Sequence, residues 1–64
     1  MEYGTISHVS ENGVGFIQPA KRGNDVIFNR AVFQAQWYQA ITGRKVEYSL
    51  RPYSEVAEWV RLLD

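Results

Sequence analysis

Apolar residues in this chain come in short runs broken by turn formers, and the runs mostly carry strand spacing rather than helix spacing. The segment from Tyr3 to Val9 holds Tyr3, Thr5, Ile6 and Val9, types that fit a pleated, half-buried surface. Its alternation is imperfect, which predicts a coiled or bulged first strand. Ser10-Glu11-Asn12-Gly13 predicts a hairpin turn, because Asn-Gly tolerates the positive φ angles of tight primed turns. A second strand runs from Val14 to Gln18 and stops at Pro19, which has no N–H to give to a ladder. After a polar loop from Ala20 to Asn24, Asp25 to Asn29 reads as a short third strand. From Arg30 to Ala40 the apolar positions Val32, Phe33, Trp37 and Ala40 are irregularly spaced. They predict a helical turn at Arg30–Phe33 followed by an irregular loop. Beyond Gly43 the alternation is clean, with Val46, Tyr48 and Leu50 on one face and Lys45, Glu47, Ser49 and Arg51 on the other. That is a strand with one solvated face. Pro52-Tyr53-Ser54 turns the chain into a last strand, Val56 to Leu63, with Val56, Val60 and Leu62 opposite Ala57, Trp59 and Arg61. Glu58 shares the apolar parity, so this strand is expected to start late or to bulge there.

Five short strands with no long helix must hide their edges, and a closed barrel is the usual way. The expected fold is therefore all-β: one small five-stranded antiparallel barrel spanning the 64 residues as a single domain. The chain has no cysteine, so disulfides and thiolate metal sites are excluded and a reducing compartment is favoured. No apolar run approaches the roughly 20 residues of a membrane span. Glu2 and Gly4 stand where a signal peptide would need basic and apolar residues. A soluble, cytoplasmic protein without membrane association is expected. His8 is the sole histidine and the carboxylates are dispersed, so no metal site, cofactor or catalytic pairing is expected; the protein is read as a non-enzyme.

Seven basic and seven acidic residues cancel, and net charge by itself gives no sign of a nucleic-acid partner. The distribution is less even. Lys21, Arg22, Arg30, Arg44, Lys45 and Arg51 occupy the middle of the chain, while Glu2, Glu11, Glu55, Glu58 and Asp64 lie toward its ends. A fold that gathers the middle segments would carry a mildly basic patch.

At Asn12-Gly13-Val14-Gly15-Phe16-Ile17 the sequence resembles the first RNA-binding motif of the cold-shock domain family, Lys-Gly-Phe-Gly-Phe-Ile. Gly4-Thr5-Ile6 resembles that family's opening Gly-x-Val strand, and Asp25-Val26-Ile27-Phe28-Asn29 its second motif, Asp-Val-Phe-Val-His. Gly43 to Tyr48 resembles the fourth-strand pattern Gly-Gln-x-Val-x-Phe, and Ala57 to Leu62 the closing Ala-x-Asn-Val-x-x strand. The likeness implies a five-stranded barrel of the OB type that binds single-stranded RNA or DNA without strict sequence preference. Bases would stack on aromatic rings on one face, and basic residues around it would meet phosphates. It also implies core positions at Ile6, Ile17, Val26, Phe28, Val46, Leu50, Val60 and Leu62.

Carried over position by position, the stacking platform is depleted. The family's first-strand Trp is His8 here and the neighbouring Phe is Val9. The leading Phe of the first motif is Val14, whereas the second is kept as Phe16. In the second motif the stacking Phe is Ile27, the His is Asn29 and the following residue is Arg30. The loop Phe corresponds to Trp37, with Tyr38 beside it; Trp37 either reaches over a ligand or caps the barrel end. The candidate interface is therefore His8, Phe16, Asn29, Arg30 and Trp37 for bases, with Lys21, Arg22, Lys45 and Arg51 for phosphates. Weak, sequence-tolerant binding is the leading expectation. In the competing reading the barrel has lost its nucleic acid and serves a protein partner or a homodimer through an aliphatic patch of Val9, Val14 and Ile27.

Overall fold

The computed structural model describes residues 1–63. Five strands form one antiparallel sheet: β1 (Glu2–Val9), β2 (Val14–Pro19), β3 (Val26–Asn29), β4 (Lys45–Leu50) and β5 (Ala57–Leu62). Their spatial order is β3-β2-β1-β4-β5, so β1 is the middle strand. The sheet curls until its two outer strands meet in parallel at the bridges Ile27–Val56 and Phe33–Val60. Two hydrogen bonds mark this seam: the Ile27 N–H donates to the Glu55 carbonyl at 3.0 Å and the Gln34 N–H to the Val60 carbonyl at 2.8 Å. The expected all-β fold is thus a nearly closed barrel. Among the described residues helix is confined to two 3-10 turns, Arg30–Val32 and Trp37–Gln39, the first at the expected helical turn.

The β1–β2 hairpin closes where the Asn-Gly pair predicts. Gly13 sits at φ 92°, and the Ser10 N–H donates to the Val14 carbonyl at 2.9 Å. The expected irregularity in β1 is a bulge at Ser7, since Ile6 faces Ile17 but His8 faces Phe16. The extra residue changes the parity of the strand, so that Ile6 and Val9 both turn toward the core while His8 turns out. Gly15 is required for a different reason. A Cβ there would stand 2.6 Å from the Phe28 ring, whose place is fixed by core packing.

Ile6, Ile17, Val26, Phe28, Val46, Tyr48 and Val60 fill the interior, as the alternation and the resemblance together imply. Phe33, Ala40 and Ala57 join them from outside the expected set. At one end Phe28, Phe33 and Trp37 form an aromatic cluster with ring centroids 5.7–5.9 Å apart, a spacing at which rings attract beyond simple area burial.

The outcome differs from expectation in the last two strands. A register shift falls between Ser49 and Leu50, opposite Glu58, so Ala57 rather than Val56 enters the core. Leu50 is left 37% exposed and Leu62 half-buried. Glu47 is on the outward side of β4, as its parity demands, yet it is only 3% exposed. Tyr3 and Arg61 are its cross-strand neighbours, and the Arg61 guanidinium donates to its carboxylate.

That pair is asymmetric, and mutation should reveal it. Arg61→Ala strands a buried carboxylate, whereas Glu47→Ala leaves a guanidinium that is already half in water. Arg61→Ala is expected to cost about 2–3 kcal/mol, below the range for a fully buried pair because water then reaches Glu47. Glu47→Ala should cost less, and chemical denaturation of both variants measures the difference. Equal losses would mean that burial of Glu47 carries no energetic consequence.

Burial, and secondarily the Glu2 carboxylate, raises the Tyr48 hydroxyl above its ordinary pKa of about 10. A raised pKa means that the folded state holds the proton more tightly than the unfolded chain does. The resulting stability is complete below pH ~10 and is lost as pH climbs through the folded value. Thermal melts of the parent and Tyr48→Phe should therefore run in parallel up to about pH 10, with only the parent losing this contribution above it.

Candidate nucleic-acid interface

Once β1 has changed parity at Ser7, the outward residues of the three neighbouring strands fall into register. His8 pairs with Phe16 across β1 and β2, and Phe16 pairs with Ile27 across β2 and β3. The result is a row of three side chains crossing the sheet at right angles. The His8 and Phe16 rings lie 6.1 Å apart at 50°, with His8 exposed and Phe16 half-buried. One step along, Val14 faces Asn29. Val14, Ile27, Phe28, Asn29 and Val56 line an open cavity of about 200 Å³ at the β3–β5 seam.

Three expected members of the site have other employment. Val9 is partly buried and packs against the core, so it is not part of the aliphatic patch with Val14 and Ile27. The bulge is the cause. Trp37 caps the barrel end: its ring lies among Phe28 and Phe33, and its Nε1–H donates to the Ser10 carbonyl at 3.1 Å. The exposed ring of that loop is its neighbour Tyr38, 77% exposed. The Asn29 Oδ1 accepts from the Ala31 N–H at 2.9 Å and so caps the first 3-10 turn, while the residue also lines the cavity.

The cations surround the row rather than line it. Arg30 lies against Gly13 of the hairpin turn, where its backbone N–H also donates to the Gly13 carbonyl at 2.9 Å. Lys21 and Arg22 occupy the β2–β3 loop, at the opposite end of β2 from the hairpin turn, and Arg51 the β4–β5 loop. All four are exposed and form no ion pair among the described residues. Lys45 extends over β1 to the Thr5 hydroxyl, 3.2 Å away, and Thr5 also faces Gln18, next but one to Phe16 on β2. Arg44 is held against the Gln39 carbonyl at 3.5 Å.

Among the described residues no group of His, Asp and Glu side chains is arranged to hold a metal ion. No described helix is long and apolar enough to cross a membrane. The β4–β5 loop carries a residue that the sequence passed over as a turn former. Tyr53 has φ 57°, the one non-glycine residue with positive φ among those described, and its side chain is fully exposed. No family model matches the chain, and a search of curated proteins gives no match.

Proposed function

We propose that this barrel binds single-stranded RNA or DNA on the outer face of β1, β2 and β3, as a divergent relative of the cold-shock domain family. The observation that supports the reading best is the row His8–Phe16–Ile27, which sets an imidazole and a phenyl ring side by side on an outward face. Every base has a π-face, so such a surface accepts sequence broadly. Lys21, Arg22, Arg30 and Arg51 stand in loops around that row, exposed and available to phosphates. Tyr38 takes the loop position for which Trp37 was the sequence candidate. The role is binding, not catalysis, and the setting is the cytoplasm. With two rings in the row, affinity is modest and falls as salt rises.

The test is a titration with a short oligonucleotide followed by amide chemical shifts and tryptophan fluorescence. Phe16→Ala is expected to weaken binding by about 1–3 kcal/mol with the fold intact. Shifts confined to residues away from β1–β3, or an unchanged titration in that variant, would overturn the assignment.

The apolar cavity favours a second reading. Its Val14, Ile27 and Val56 walls suit an apolar side chain of a protein partner, or of a second copy, better than a phosphate-bearing strand.

A further inference from the structure

Tyr53 is held in a backbone conformation that L-residues with bulky side chains seldom adopt, and its ring buries no surface of its own. A ring in that situation gives nothing to the packing of the fold, so the conformation is sustained by its surroundings. Those surroundings are firm. The Arg51 N–H donates to the Val56 carbonyl at 3.0 Å, and the Val56 N–H to the Ser54 hydroxyl at 3.0 Å. Glu55 is gripped twice, by the Ile27 N–H at its carbonyl (3.0 Å) and by the Asn24 amide at its carboxylate (2.5 Å). Pro52, directly before Tyr53, has its own φ fixed by its ring. The loop is therefore a fixed mount, and it is fastened to β3 at Ile27, the last member of the ring row.

From this we infer that Tyr53 is a further base-stacking residue, which carries a bound single strand from the His8–Phe16–Ile27 row across the seam onto the β4–β5 loop. The inference rests on the proposed single-strand binding and adds a direction and a length to it. Two strand-to-strand steps of ~4.8 Å separate His8 from Ile27, so a ligand covering the row alone ends about 10 Å from its start, and one more step across the seam reaches Val56. Tyr53 stands three residues before Val56 in the chain, in the loop that the Ile27–Glu55 hydrogen bond ties to the end of the row. Arg51 stands in the same loop, exposed and without an ion pair among the described residues, as a cation for the adjoining phosphate. The Val14–Ile27–Val56 cavity lies on the way, and its apolar walls put no charge against the strand.

Ligand length separates the two claims. The parent, Phe16→Ala, Tyr53→Ala and Tyr53→Phe are titrated with single strands of about four and about eight nucleotides, within the range one OB barrel occupies. Phe16→Ala should weaken both lengths. Tyr53→Ala should weaken the longer strand fivefold or more and the shorter less than twofold, and Tyr53→Phe should restore the parent. Thermal melts of Tyr53→Ala should match or exceed the parent, since the lost ring packs on nothing. If Phe16→Ala weakens binding while Tyr53→Ala binds both lengths like the parent, the inference falls and the ring-row reading stands. If the parent binds neither length, both fall.

Discussion

Phe28→Ala is expected to lower the melting temperature by at least about 12 °C and to leave a substantial unfolded population at 25 °C. Phe28 is 1% exposed, and its ring touches the two other rings of the barrel-end cluster. Truncating a buried phenylalanine costs about 3–5 kcal/mol through lost transfer energy and the cavity left behind. A chain of 64 residues has a total stability of only about 3–10 kcal/mol. Each kcal/mol moves the midpoint of so small a domain by roughly 4–8 °C. The vacated space also adjoins the open cavity at the seam, which Phe28 lines, so water gains a route inward. Far-UV circular dichroism on heating reads the effect. A shift under about 5 °C would mean that Phe33 and Trp37 close over the gap and that the cluster is looser than its geometry implies.

The second large effect is a gain. Val14→Phe together with Ile27→Phe should strengthen binding of a single-stranded oligonucleotide by more than tenfold. Both residues point outward from β2 and β3, and Ile27 directly faces Phe16. Rings placed there would extend the row in two directions, and each stacked base is worth about 1–3 kcal/mol. Even the lower figure for two contacts exceeds the 1.4 kcal/mol of one decade in affinity. Stability should change by less than about 0.5 kcal/mol, because both sites are half-buried walls of an open cavity rather than core. Loss of folding would show that the two side chains are structural after all. A stable variant with unaltered affinity would give this face to a protein partner.

How much of this could be read from the residues varies along the chain. Strand positions and the Asn-Gly hairpin were legible because period-two alternation and positive-φ turn chemistry are local properties. Parity was legible only as far as the next bulge. Val9 carries no mark of the extra residue at Ser7 that turns it inward, and Ala57 and Val56 exchange places for the same reason at Glu58. Phe33 enters the core from a stretch with no period at all, so only tertiary contacts could assign it. Trp37 left two readings open, since an indole serves equally as a lid or a ligand contact; the bond to the Ser10 carbonyl and the rings of Phe28 and Phe33 give it the lid position, which no local pattern announces. The outward face of β4 was expected to be wet, and Glu47 departs from this because Arg61, its partner on the adjacent strand β5, lies over it. Lys21 and Arg22 fall in the loop where they were expected, whereas Tyr53 went unnoticed. Nothing in Pro52-Tyr53-Ser54 announces a left-handed tyrosine.

The central place of β1 has a bearing on how the chain is made. It is the first of the five strands to be synthesised, yet one of its two edges is filled by β4, some 40 residues later, as the pairing of Thr5 with Lys45 shows. Until then a nascent meander of β1, β2 and β3 carries two bare edges, the outer one of β3 and the inner one of β1, both templates for unwanted pairing. Charges on the loops and the shortness of β3 blunt the first of these. The second can be closed only by the chain itself, so assembly waits on long-range contacts of the kind that make small β proteins slow to fold. The chain is at its most vulnerable while β1 to β3 have paired and Lys45–Leu50 has yet to dock.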